Sequence, residues 1–155
     1  MVKLLLFLMQ GIPECSGQFA LSLALLGVPL RWKRIIAAGT VLALVFFMIR
    51  ALPFTFGIHT AVGIFLLVIA INWATQMSVT KIFIAALVSF SILTLCELFM
   101  MDIFYTLTKL DANTTIAENS NVLWKLSGLP QALLLNIFAL LVARFKKPRE
   151  DAWEI

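Results

Sequence analysis

From Ile82 to Leu107 the chain is apolar apart from Glu97, Asp102 and a few hydroxyl residues. As a helix this run is about 39 Å long at the standard rise per residue. That exceeds the ~30 Å hydrocarbon core of a bilayer, so the run predicts a membrane-crossing helix. Four further apolar runs surround it, at about Leu4–Val28, Ile35–Leu52, Ile58–Gln76 and Val122–Val142. The expectation is an all-α, polytopic membrane helical bundle of about five transmembrane helices over residues 1–143, followed by a cytoplasmic tail over 144–155. Composition agrees: 62% of the 155 residues are apolar and 13% are charged. A soluble domain carries roughly 25% charged residues, because its surface must face water.

Two of the runs contain a helix breaker. Proline lacks the amide donor of the turn it enters and collides with the preceding turn. Gly11-Ile12-Pro13 and Ser127-Gly128-Leu129-Pro130 therefore predict breaks in the first and fifth crossings. The first run resembles a secretion signal in position, but Pro13-Glu14-Cys15 offers no small-residue cleavage site, so it is read as retained.

Basic residues set the orientation. Arg31, Lys33, Arg34, Lys81, Arg144, Lys146, Lys147 and Arg149 fall on one side of the predicted bundle. Lys3, Arg50, Lys109 and Lys125 fall on the other. The positive-inside rule then predicts a multi-pass protein of the plasma (inner) membrane, N-terminus outside and C-terminus in the cytoplasm. The lipid bilayer is the first expected partner. Because the basic residues flank apolar runs and form no dense soluble face, nucleic-acid binding is excluded.

Ionisable groups within spans are costly and mark candidate sites. Glu14 lies within the first crossing, Arg50 at the outer end of the second, and His59 at the start of the third. Glu97 and Asp102 lie in the outer half of the fourth. If the crossings pack side by side, these five groups can share an outward-facing polar cavity for a small ligand, a peptide or a partner helix. Glu97 and Asp102 are about 140° apart around their helix, so one is expected to face the bundle and the other a rim. Arg50 is the natural counter-ion for one of them, since its guanidinium holds its charge and bonds carboxylates through paired donors.

Each group also has a plain structural explanation. Arg50 and Asp102 can snorkel to the interface. Glu97 can be a protonated, hydrogen-bonded structural group. Glu14, next to Pro13, can sit in the first turn of a helix segment against free backbone donors. His59 can be an interfacial anchor. Asn72, Gln131 and Asn136 are expected to form hydrogen bonds between helices.

No metalloprotease pair, phosphate-cradling glycine loop or nucleophile elbow is present, so neither enzyme activity, nor a cofactor, nor a metal is expected. Cys15 and Cys96 both lie in apolar segments, where a thiol behaves as a small hydrophobe, and are expected to remain unpaired.

Two stretches, GIPE at Gly11–Glu14 and IRALPFTFGIHT at Ile49–Thr60, resemble small multi-pass membrane proteins of Gram-positive, spore-forming bacteria. They also resemble the membrane modules that precede histidine-kinase regions in related sensor proteins. The resemblance covers mainly the first half of the chain, and no kinase or dimerisation domain follows Trp153 in this sequence. It implies a sensory or regulatory module acting through a protein partner, with Glu14, Arg50 and His59 as the matched positions. A small ion or proton channel or transporter subunit, working as a homo-oligomer, is the alternative expectation. A structural subunit of a membrane complex is a third.

Overall fold

In the computed structural model the backbone is described for residues 2–50, 58–108 and 121–146, together with Trp153. Within those ranges the side chains of residues 2–4, 6, 50, 58, 59, 104, 105, 107, 108 and 121–127 are not described. The fold is an all-helical bundle of five helices: α1 (Val2–Leu26), α2 (Trp32–Arg50), α3 (Ile58–Thr75), α4 (Val79–Thr108) and α5 (Asn121–Phe145). They coincide with the five apolar runs to within a few residues at each end. The helices are held by apolar periodicity and by the lack of water to compete for backbone bonds in a membrane, which makes a helix the default for such segments.

The helix breakers do not divide the helices. Pro13 lies inside α1 and Pro130 inside α5, and each helix is continuous through its proline. Near Pro13 the Asn136 side chain on α5 donates to the Pro13 carbonyl at 3.0 Å and to the Ala132 carbonyl at 2.8 Å, tying α5 to α1. The carbonyl that loses its donor at Pro13 is that of Met9, one turn earlier. The interhelical role expected of Asn136 is thereby accounted for.

α1 is the axis of the bundle. It contacts every other helix, most extensively α5, then α2, then α4. Its residues from Ser16 to Ala24 are all buried. Along its apolar run α1 carries the polar groups Gln10, Glu14, Ser16, Gln18 and Ser22. Its central place turns these groups toward the other helices. Among the described residues, Trp32–Ile49, Val79–Ile103 and Gly128–Phe145 are long and apolar enough to cross a membrane.

The outer surface agrees with that arrangement. Phe65, Ile69 and Trp73 stand exposed at four-residue spacing on α3. Leu95, Leu98 and Phe99 on α4, and Leu133, Ile137 and Leu140 on α5, are also exposed, each set along one side of its helix. A water-soluble protein rarely exposes a continuous apolar surface of this extent.

The α1–α2 connection is tight. α1 ends in a Schellman motif, with the Val28 amide donating to the Leu23 carbonyl at 2.9 Å and the Gly27 amide to Ala24 at 3.0 Å. Gly27 takes φ 75°, the left-handed conformation that this cap requires and that glycine adopts without steric cost. Further along the seam, a Cβ on Gly39 would lie 2.8 Å from the Ser16 backbone nitrogen. Glycine thus sets how closely α2 lies against α1.

The polarity of residues 144–155 predicts an exposed tail. Trp153 instead packs half-buried against the α1–α2 connection and donates its indole N–H to the Pro29 carbonyl at 2.7 Å. The guanidinium groups of Arg31 and Arg34 lie 5.8 and 5.6 Å from its ring centre. Lys146 also donates to the Leu25 carbonyl. Trp153 is held there because an indole has both an apolar face to bury and a donor to satisfy.

Candidate functional site

A cavity of about 310 Å³ lies in the half of the bundle that contains the beginning of α1. α1 lines it through Phe7, Gln10, Gly11, Glu14, Cys15 and Gln18, and α4 through Phe90, Leu93, Thr94, Glu97, Met100 and Met101. Leu42 and Phe46 of α2, Thr60, Gly63 and Leu67 of α3, and Gly128 and Gln131 of α5 complete the wall.

Helical geometry explains why these side chains converge. The lining residues of α4 all fall within about 60° of Glu97 around the helix axis, so Glu97 stands at the middle of the cavity face. Glu14 occupies the corresponding central position on α1. Gln10, Glu14 and Gln18 follow one another at four-residue spacing, which stacks them along one face. Ser22 extends the same stripe beyond the cavity.

The cavity has an open end and a closed end. Thr60, Thr94 and Glu97 are exposed, Gln10 and Glu14 are half-buried, and Gln131 and Gln18 are buried, the latter at 5% exposure. Past Gln18 every helix contributes packed apolar groups: Phe19 and Leu23 of α1, Ile35 of α2, Ile71 of α3, Ile82 and Ala86 of α4, and Leu135 of α5. The cavity is therefore a blind pocket that opens where α1 begins.

Gln18 forms the floor. Its side-chain oxygen accepts a hydrogen bond from the Ser89 hydroxyl at 2.6 Å, and the same hydroxyl is 3.3 Å from the Gln18 backbone carbonyl. That pair ties α1 to α4. The Gln18 amide nitrogen, buried beside the cavity, has no hydrogen-bond partner. Leaving a buried donor without a partner among the described residues costs roughly 1–3 kcal/mol.

Of the five residues expected to share one site, Glu14 and Glu97 are brought together. Asp102 is exposed and lines no part of the cavity, in keeping with the angle that separates it from Glu97. The side chains of Arg50 and His59 lie outside the described residues. Gln10, Gln18, Thr60 and Thr94 are lining groups that the search for charges passed over. For Gln10 and Gln18 the signal was the polar four-residue stripe on α1, which is out of place in a lipid-facing helix; Thr60 on α3 and Thr94 on α4 had none. Cys15 lines the cavity, Cys96 is buried on α4, and both are free thiols.

Compared with known proteins, the chain matches no family model, no curated protein sequence and no solved structure.

Proposed function

We propose that this chain is a sensory or regulatory membrane subunit that binds a small ligand in the blind cavity and acts through a protein partner. In this reading the five helices all cross the plasma membrane, the cavity opens outward, and the α1–α2 connection with the docked tail faces the cytoplasm. The observation that carries the reading is the blind cavity between the helices whose wall includes two carboxylates, Glu14 and Glu97, and the amides of Gln10, Gln18 and Gln131. Binding sites have this form: mostly apolar walls with a few convergent polar groups. Arg31, Arg34 and Trp153 form a basic and aromatic surface at the far end, suited to meeting a partner or anionic lipid.

The test is to replace Glu14 and Glu97 separately by glutamine and to purify each protein in mild detergent. Co-purifying proteins are then identified, and partner-dependent output is measured in cells. The reading expects output to change while thermal stability is retained. Unchanged output in both variants refutes it.

A transport reading has one observation in its favour. Ser22, buried with an unpaired hydroxyl, continues the Gln10–Glu14–Gln18 stripe past the floor. It predicts proton or cation flux in liposomes that disappears in Glu14→Gln. The packed apolar groups beyond Gln18 favour the ligand-binding reading.

A further inference from the structure

We infer that a groove at the end of the bundle where α1 finishes holds one anionic phospholipid. Its phosphate lies between Lys81 and Lys146, and an acyl chain runs along α4. The inference stands apart from the ligand-binding reading and requires only that the bundle lie in a bilayer.

The groove, about 490 Å³ in volume, separates the end of α1 from the first turns of α4. Leu25 and Leu26 form one wall, and Lys81, Ile84, Ala85 and Val88 form the other. Those four α4 residues fall within about 100° of one another around the helix axis, so they make one stripe. The stripe begins with a charge and continues apolar for about 10 Å toward the middle of the helix. Ile84 and Val88 are 57% and 41% exposed, so the groove opens sideways onto the apolar outer surface of the bundle. A charged end at the membrane interface with an apolar track leading inward is the profile of a lipid, head first and chain below.

The two cations come from opposite walls. Lys81 stands in the first turn of α4, exposed, where a lysine lays its stem on apolar surface and keeps its head at the interface. Lys146 follows the end of α5, and its ammonium donates to the Leu25 carbonyl at the end of α1. An ammonium has three donors, so that contact leaves two for a ligand. The described lining carries no acidic residue. Glu14 and Glu97 line the separate cavity, and Asp102 lies toward the other end of α4. A phosphodiester supplies the negative charge that this lining lacks, and basic pockets between membrane helices hold lipid headgroups in this way. The headgroup must be anionic overall. In a zwitterionic lipid the headgroup's own ammonium is repelled by the two lysines, whereas phosphatidylglycerol carries no such cation. Exposed lysines alone hold a free anion weakly, so the apolar stripe is what makes the site selective for a lipid.

The test uses the full-length protein in mild detergent, titrated with phosphatidylglycerol or with phosphatidylcholine of identical chains. Bound lipid is counted by native mass spectrometry and followed by thermal stabilisation. One phosphatidylglycerol is expected to be retained, roughly tenfold or more tighter than phosphatidylcholine, from two basic residues acting together. Lys81→Gln and Lys146→Gln should each weaken phosphatidylglycerol by roughly fivefold, the worth of one basic residue beside an anionic headgroup. Neither should alter phosphatidylcholine, and Lys81→Arg should retain the preference. Lys33→Gln removes a basic residue that lines no part of the groove and should change nothing. Val88→Trp fills the apolar track and should weaken both lipids. Glycerol phosphate, a headgroup without chains, should not displace the lipid at millimolar concentration.

Equal retention of the two lipids overturns the choice of an anionic headgroup. Unchanged retention of phosphatidylglycerol in both lysine variants, or an equal loss in Lys33→Gln, overturns the site. Displacement by glycerol phosphate overturns the lipid in favour of a free anion. Loss of a co-purifying protein from the lysine variants, with lipid retention unchanged, overturns it in favour of a protein contact. Both lysines are exposed, so their variants decide the matter even if Val88→Trp does not fold. No outcome here bears on the cavity, whose own test is Glu14→Gln and Glu97→Gln.

Discussion

Gly11 and Gly39 lie on the same α1–α2 seam, and the structure predicts opposite outcomes when each becomes alanine. At Gly39 the new Cβ would lie 2.2 Å from the Ser16 hydroxyl, 2.8 Å from the Ser16 backbone nitrogen and 2.9 Å from its Cα. The hydroxyl can rotate away, but the backbone atoms cannot. Ordinary contact begins near 3.4 Å, so the two helices must part by about 0.6 Å, a displacement that forfeits a quarter or more of the dispersion energy of each seam contact. Overpacking of this kind costs about 1–3 kcal/mol. At Gly11 the nearest atoms to a new Cβ are the Phe7 ring edge at 3.4 Å and the Ala43 methyl at 3.5 Å. Those are normal contacts, and alanine is the better helix former by up to ~1 kcal/mol. Thermal unfolding of both variants in the same detergent is the assay. Gly39→Ala should melt lower by roughly 4–8 °C for a 2 kcal/mol loss, while Gly11→Ala should be unchanged or slightly raised. Adding Ser16→Ala to Gly39→Ala should recover only part of the loss, because the backbone clash remains. Equal melting temperatures for the two glycine variants would refute the proposed close approach.

Other perturbations probe separate contacts. Ser89→Ala removes the only described partner of the Gln18 side chain and should destabilise by about 1–3 kcal/mol, measured by thermal unfolding; the Gln18→Leu/Ser89→Ala pair should be milder than the sum of the single changes. Asn136→Leu should loosen α5 from α1, read as faster amide exchange on α1 around Pro13. Gln76 ends α3 at φ 48°, and Gln76→Gly should raise stability by up to ~1 kcal/mol by removing a left-handed side-chain penalty. Trp153→Ala should free the tail, giving faster proteolysis after Phe145 with little change in melting temperature.

The helices were legible because their signal is length and apolarity, and both are properties of single segments. What the sequence concealed was mostly relational. Pro13 predicts a break when α1 is considered alone, yet the helix continues through it, packed against α5, whose Asn136, far away in the chain, bonds the Pro13 carbonyl. Trp153 sits in a polar stretch that predicts an exposed tail, and its docking depends on Pro29, Arg31 and Arg34 being adjacent in space. Charge pointed to Glu14 and Glu97, which line the cavity. It did not point to Gln18, an uncharged lining residue that is buried and paired with Ser89. The four-residue polar spacing on α1 was visible all along. Read as a helical face, it identifies α1 as the central helix and marks the wall of the cavity.

The central claim is that Glu14 and Glu97 face each other across one water-accessible cavity while Asp102 points elsewhere. In a background with Cys15 and Cys96 replaced by alanine, cysteines are introduced as Glu14→Cys/Glu97→Cys and, separately, as Glu14→Cys/Asp102→Cys. A water-soluble bifunctional thiol reagent is added to membranes, and intramolecular cross-links are identified by mass spectrometry. The first pair should cross-link readily, and the second should not cross-link. Cross-linking of the Asp102 pair at the same rate, or failure of the Glu97 pair with both thiols reactive, would contradict the shared cavity.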